Sequence, residues 1–126
     1  MYSFSKASKF KLLTCDERLQ LVCTEALAIM DFTVICGVRG EADQNQAFAE
    51  GKSHARYPQS KHNRSPSRAV DIAPYNKGID WDDINAFYQL AGVMKAMAYK
   101  HDINIKWGGD FEEFFDGAHY EIQGNY

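Results

Sequence analysis

Residues 68–73, with the sequence Arg-Ala-Val-Asp-Ile-Ala before Pro74, predict the β-strand around which the fold is organised. Side chains alternate faces along a strand, so Val70 and Ile72 are predicted to face the core. Asp71 then lies on the other face between two alanines, and we expect open space above it. A carboxylate in an apolar strand is costly unless it is paired or binds a metal. Asp71 is therefore a candidate metal ligand.

A structural explanation of Asp71 is equally open at this point. Buried carboxylates usually have cationic partners, and Arg68 or Lys61 could form a salt bridge with it. The choice between the two explanations depends on which other chemical groups the fold brings near this strand.

The rest of the chain predicts an α+β fold, with a small, mainly antiparallel sheet and about three helices. Thr14 and Glu17 form a capping-box pattern at the start of the first predicted helix, and Asp80 is a candidate cap for the third. Residues 1–13 are predicted to be a loosely structured lead-in, and residues 52–67 a long loop of the kind that is often functional. Helices are predicted at 15–30, 41–50 and from 80 onward, and further strands at 32–36, 103–107 and 118–122.

Length and composition predict a single soluble domain over residues 1–126. The net charge of −3 argues against nucleic acid as a partner. Neither a signal peptide nor a membrane span is predicted, so we expect synthesis in the cytoplasm and no membrane insertion. Three cysteines without a CxxC pair, at 15, 23 and 36, predict small buried side chains rather than a disulfide framework or a cysteine-based zinc site.

The last predicted strand carries a second candidate site residue, because His119 and Glu121 share the face opposite Tyr120. Together with His62, in the loop before the Asp71 strand, two histidines and one carboxylate match the ligands that zinc prefers. A hydrolytic zinc site also needs a carboxylate near its water, and Asp116 is placed for that role.

Several separated segments of the chain resemble a known family of zinc metallopeptidases. The family comprises VanY-type D-alanyl-D-alanine carboxypeptidases and L-alanyl-D-glutamate endopeptidases, including a phage endolysin branch. The resemblance covers roughly residues 32–122. It is carried by Ser60-Lys61-His62 with Ser67 to Tyr75, by Trp107 to Phe111 with Asp116 to Glu121, by Gly37-Val38-Arg39 with Gln44, and by Ile79-Asp80-Trp81.

The resemblance implies a role for each matching residue. His62, Asp71 and His119 would bind one Zn²⁺ per chain. Asp116 would be the catalytic base, and Arg39 would polarise the scissile carbonyl and stabilise the oxyanion. The remaining matches, which would bind substrate or support the ligands by hydrogen bonding, are Ser60, Gln44 and Glu121.

The sequence also departs from the family pattern in ways that leave the substrate open. Eight residues separate His62 from Asp71, an interval longer than in many members, and Gly117-Ala118 replaces a frequent proline. The base is Asp116 rather than glutamate, as in some endolysin members.

The resemblance implies a monomeric endolysin that hydrolyses an amide of the peptidoglycan stem, most simply L-alanyl-D-glutamate, after release to the cell wall. A D-alanyl-D-alanine carboxypeptidase is an alternative, with a carboxylate pocket formed by Arg56, Arg64 or Arg68. An alternative of another class is an inactive wall-binding module in which zinc serves only stability.

Overall fold

A computed structural model describes residues 1–124 of the chain, so the last two residues of the predicted domain lie outside the described part. This part contains four α-helices and four β-strands, which confirms the predicted α+β class. The elements are α1 (Lys6–Leu13), α2 (Glu17–Leu27), β1 (Phe32–Cys36), α3 (Glu41–Ala49), β2 (Ala69–Pro74), α4 (Ile84–Lys100), β3 (Ile105–Trp107) and β4 (His119–Ile122). Two short 3-10 helices, Lys61–Asn63 and Gly108–Asp110, precede β2 and follow β3.

The sheet is antiparallel throughout and has the strand order β1-β2-β4-β3. The strand that contains Asp71 is therefore central, with β1 on one side and β4 on the other. In the register, Asp71 lies opposite His119 of β4 and opposite Cys36 of β1. The register thus gathers groups that are far apart in the chain.

Helices α2 and α4 pack against one face of the sheet and form the core with it. Val70, Ile72 and Tyr120 face this core and are fully buried, as the strand alternation predicts. The alanines on the other face of β2, Ala69 and Ala73, are also fully buried. The open space predicted above Asp71 is present as a cavity that this residue lines, and on this face of β2 it is confined to the surroundings of Asp71.

Residues 6–13 form helix α1, so the prediction of a loosely structured lead-in is wrong. Ser5 caps this helix by accepting a hydrogen bond from the Ser8 amide at 3.1 Å. Buried Ser8 in turn bonds Thr33 and the Val34 amide of β1, each at 3.0 Å, and Leu12 enters the core. Tertiary contacts of this kind stabilise a short helix whose own periodicity is weak.

Two predicted helix caps are also corrected. Thr14 ends α1, and Asp16 caps α2 by accepting a hydrogen bond from the Arg18 amide at 2.9 Å. Asp83, not Asp80, caps α4, because the chain makes an extra turn before the helix begins. Trp81 therefore precedes α4 and is 53% exposed instead of joining the buried stripe of that helix.

Candidate active site

The donor atoms of His62 and His119 both lie near Asp71, at the centre of the sheet. Asp71 Oδ1 lies 3.2 Å from His62 Nε2 and 3.3 Å from His119 Nδ1. Two ligands of a tetrahedral zinc at about 2.0–2.1 Å from the metal are themselves about 3.4 Å apart. Each of these two separations fits a pair of ligands on one metal ion. Asp71 is common to the two donor clusters of residues 1–124, one with Cys36 and His62 and the other with Asp116 and His119.

His62 is held rigidly by its local structure. Ser60 caps the 3-10 helix and accepts a hydrogen bond from the His62 amide at 3.2 Å. The ring Nδ1 lies 2.8 Å from the Gly37 carbonyl, to which it can only donate. Nε2 is thus the nitrogen free to bind a metal, and it is buried without a hydrogen-bond partner among the described residues. A buried nitrogen without a partner calls for an explanation, which a metal would provide.

His119 has a matching support on its other side. Its Nε2 lies 2.8 Å from Glu121 Oε1, and the second oxygen of Glu121 lies 2.9 Å from Lys61 Nζ. This contact directs Nδ1 of His119 toward Asp71. A carboxylate behind a ligating histidine is the usual way to fix its ring and raise its basicity. Lys61 pairs with Glu121 and not with Asp71, and Arg68 donates to the Gly124 carbonyl, so neither is the partner considered for Asp71.

The charges of the site are strongly coupled. Burial alone would lower the pKa of His62 and His119, but the Asp71 carboxylate outweighs it and raises them to about 10 and about 9. Burial would raise the pKa of Asp71, but His119 and His62 hold it well below its usual range. In the metal-free protein the two histidines are therefore protonated near neutral pH, and their positive charges stabilise the Asp71 carboxylate.

Arg39 is the only arginine that contacts Asp71 among residues 1–124, with Nη2 at 3.4 Å from Oδ2. Its Nη1 donates to Gln44 Oε1 at 3.1 Å, and the same oxygen accepts a bond from Asn63. Gln44 is completely buried, with its amide nitrogen bonded to Ser53. The structure thus places Gln44 behind Arg39, where it orients the guanidinium but does not reach the cavity.

Asp116 is positioned by the segment that follows β3. Its amide donates to the Gly108 carbonyl at 3.0 Å, and the Trp107 indole donates to the Gly117 carbonyl at 2.7 Å. A Cβ at Gly108 would lie 2.2 Å from the Asp116 carbonyl oxygen, so only glycine permits this approach. The Asp116 carboxylate lies within 4.8 Å of the Asp71 and His119 donor atoms. Burial, followed by the charge of Asp71, raises its pKa, which suits a group that must accept a proton.

These groups line an open cavity of about 310 Å³. The cations at its wall are Arg39, Lys52 and Lys61. His54 also lines it, with its ring stacked on Phe114 at 3.8 Å between centroids. His101 lies elsewhere, at the end of α4, where it is paired with Glu25.

Cys36 is a neighbour of the site that the sequence analysis missed. This half-buried thiol forms a cluster with His62 and Asp71, whose donor atoms lie within 4.8 Å of one another, and Arg39 Nη2 lies 3.6 Å from its sulfur. Its place at the end of a predicted strand, just before the Gly37-Val38-Arg39 segment, was the available signal.

We expect Cys36 to be the most reactive of the three thiols. Burial raises its pKa, but His62 and Arg39 outweigh this and lower it, whereas burial raises the pKa of the enclosed Cys15 and Cys23. In the metal-free protein, iodoacetamide should modify Cys36 at least about tenfold faster than the other two. Peptide mass spectrometry over a time course measures this, and similar rates at all three would contradict it.

The site brings histidine and carboxylate donor atoms, a further carboxylate and an arginine to one cavity, a combination of groups that can support hydrolysis of an amide. A model of the phage L-alanyl-D-glutamate peptidase family matches residues 1–124, and the chain belongs to that family. The L-alanyl-D-glutamate peptidase of Escherichia phage T5 is 31% identical over 135 residues, which cover 96% of this chain and 98% of that protein. The Serratia marcescens L-Ala D-Glu endopeptidase ChiX has a crystal structure similar to this one, with a TM-score of 0.82 and 26% identity over 96% of this chain and 90% of that chain.

Proposed function

We propose that this protein hydrolyses the L-alanyl-D-glutamate amide of the peptidoglycan stem, using one zinc ion bound by His62, Asp71 and His119. The observation that supports this most directly is the buried Nε2 of His62, which lies 3.2 Å from Asp71 Oδ1 but makes no aligned hydrogen bond among the described residues. The choice of bond is supported by membership in the peptidase family and by the similarity to two proteins named for this bond.

The residues around the cavity divide the chemistry between them. A zinc ion in this site would supply a Lewis acid and lower the pKa of the attacking water. Asp116 takes the proton of that water and passes it to the leaving amine, a role for which its raised pKa is suited. Arg39, held by Gln44, stabilises negative charge on the carbonyl oxygen.

The positions of three arginines argue against the carboxypeptidase alternative. Arg56, Arg64 and Arg68 were the candidates for binding a terminal carboxylate, but none of them lines the active-site cavity. Arg56 lies over the Phe48 ring, and the other two line a separate cavity with Lys61. The open cavity fits a substrate that continues on both sides of the cleaved bond.

Mass spectrometry of purified peptidoglycan fragments tests the function directly, with the protein added in the presence and absence of a zinc chelator. New amino-terminal D-glutamate that disappears with chelator is the expected result. Release of terminal D-alanine would establish a carboxypeptidase instead. Intact fragments in the presence of bound zinc would indicate a wall-binding module.

We further propose that the protein acts as a monomer on the cell wall after release from the cytoplasm, as the endolysin resemblance implies. No helix among residues 1–124 is long and apolar enough to cross a membrane. Gel filtration with light scattering tests the oligomeric state.

Zinc binding should release protons and weaken as the pH falls. The pKa values of His62 and His119, about 10 and about 9 without metal, mean that both rings are protonated near neutral pH. Each must lose its proton to bind zinc, so the dissociation constant should rise by up to about 100-fold per pH unit on acidification. Titration calorimetry in two buffers of different ionisation enthalpy measures the protons released; a value near zero at about pH 7.5 would contradict the prediction.

The same pKa shifts have the opposite effect on the metal-free fold. A histidine whose pKa is raised on folding stabilises the fold fully below its unfolded pKa of about 6.5. That contribution declines as the pH rises through the folded values of about 9 and about 10. The metal-free protein should therefore lose stability in mild alkali, whereas zinc binds more tightly there.

A further inference from the structure

A second cavity adjoins the active site on the other side of Asp116. It measures about 190 Å³, and among the described residues that line it Asp116 is the only one with a charged side chain. Trp81, Ile84 and Phe115 line it and are 53%, 44% and 46% exposed. Exposed apolar groups of this size, adjacent to a polar site, mark a binding surface.

The aromatic side chains of this cavity are fixed by packing. Trp81 is stacked on Phe87 with 5.8 Å between ring centroids, and Phe87 is 4% exposed in the core side of α4. Phe115 packs edge-on against the buried Trp107 ring at 5.7 Å. One face of Trp81 is thus covered, and the rest of its ring remains available to a ligand without reorganisation of the fold.

Among the described residues, Asp116 is the only one that lines both cavities. The larger cavity carries the cations Arg39, Lys52 and Lys61 together with the carboxylates of Asp71, Asp116 and Glu121. The smaller cavity has no cation among the described residues that line it. An amide whose attacking water is served by Asp116 therefore has a cavity with three fixed cations on one side and an aromatic cavity on the other.

The proposed substrate has the same asymmetry. On the amine side of the scissile bond, the D-glutamate bears a free carboxylate. On the acyl side, L-alanine is linked through an uncharged lactyl group to the amino sugar of the glycan strand. Carboxylates are bound by fixed cations, and an uncharged group with apolar faces is bound by packing against aromatic rings.

We propose that the cavity of Trp81 and Phe115 is a subsite for the amino sugar and lactyl group on the acyl side of the substrate. The inference rests on the proposed function and extends it from the bond cleaved to the part of the wall recognised. Its consequence is that the enzyme prefers stem peptides still attached to glycan over free stem peptides. Trp81 acts as a specificity-determining residue.

Two substrates with the same scissile bond test this subsite: a disaccharide-linked stem peptide, and the same peptide with an acetyl group in place of the sugar-bearing lactyl group. Wild type should show a higher kcat/KM for the sugar-linked substrate by about tenfold or more. Trp81→Ala should bring the ratio of the two values close to one, mainly through KM, and Trp81→Phe should retain most of the preference. Tyr99→Ala removes an aromatic ring that is 88% exposed elsewhere on α4, and it should leave the ratio unchanged.

The outcomes separate the subsite from the proposed function. Equal cleavage of both substrates by wild type would overturn the subsite and leave the peptidase intact, as would an equal loss on both in Trp81→Ala. If neither substrate is cleaved, the proposed function fails, and binding to the Asp116→Asn variant still decides the subsite. Tryptophan fluorescence should then change with the sugar-linked peptide and respond far less in Asp116→Asn/Trp81→Phe; equal responses would refute the subsite.

Discussion

Replacing Asp116 with Asn should lower kcat for stem-peptide hydrolysis by about 10²- to 10⁴-fold, the usual contribution of a general base. The amide has nearly the same shape as the carboxylate, so packing against Gly108 and the backbone bond to its carbonyl are retained. It cannot accept the proton of the attacking water. The loss should therefore fall on kcat, with little change in KM.

Zinc content and thermal stability are the controls for this variant. The proposed ligands are His62, Asp71 and His119, so Asp116→Asn should bind one zinc per chain as wild type does. The truncation Asp116→Ala, which removes the whole carboxylate, should give the same result. Wall-degrading activity within about twofold of wild type would exclude Asp116 as the base, since a true base contributes far more.

Replacing His119 with Ala should abolish tight zinc binding and hydrolysis together. His119 Nδ1 is one of the three proposed donors and lies 3.3 Å from Asp71 Oδ1. Loss of even an outer partner of a zinc ligand costs about 10- to 100-fold in affinity, and loss of a ligand itself should exceed that. Elemental analysis after gel filtration and competition with a chromophoric chelator measure the effect.

His101→Ala is the matched control for this experiment. It removes a more exposed histidine at the end of α4, where the ring pairs with Glu25 and lies away from the site. It should retain zinc and activity. Full retention of zinc by His119→Ala would refute the ligand assignment, and the raised pKa of His119 would then reflect only its ion pairs with Asp71 and Glu121.

The elements with strong local signals were predicted well. Strand alternation around Val70 and Tyr120 identified the buried face of each strand, because a period of two is set by the backbone alone. The start of α3 at Glu41 and the buried stripe of α4 likewise follow from local periodicity. Helix α1 was missed because its stabilising contacts, through Ser8 and Leu12, are with residues far along the chain.

The residues of the candidate site could be predicted from the sequence only in part. Motif residues such as His62 and His119 could be named from the sequence, since their resemblance to a family depends on local spacing. The cation beside Asp71 could not: nearby Arg68 and Lys61 were considered, and Arg39, thirty-two positions away, is the residue in contact. Likewise, the third helix was predicted to begin at residue 80, so that it included Trp81. The turn before Asp83 depends on backbone hydrogen bonds that the apolar pattern does not record.

Residue type, order and local period were enough to predict the α+β class, the family resemblance and the candidate ligands His62, Asp71 and His119. Only the fold shows which donor atoms meet, which nitrogen of each histidine faces Asp71, and that Asp116 lies between a cavity with three fixed cations and an aromatic one. This is because antiparallel pairing of β2 with β1 and β4 sets the distances between residues 36, 71 and 119. Chain separation carries no information about such distances until the register exists.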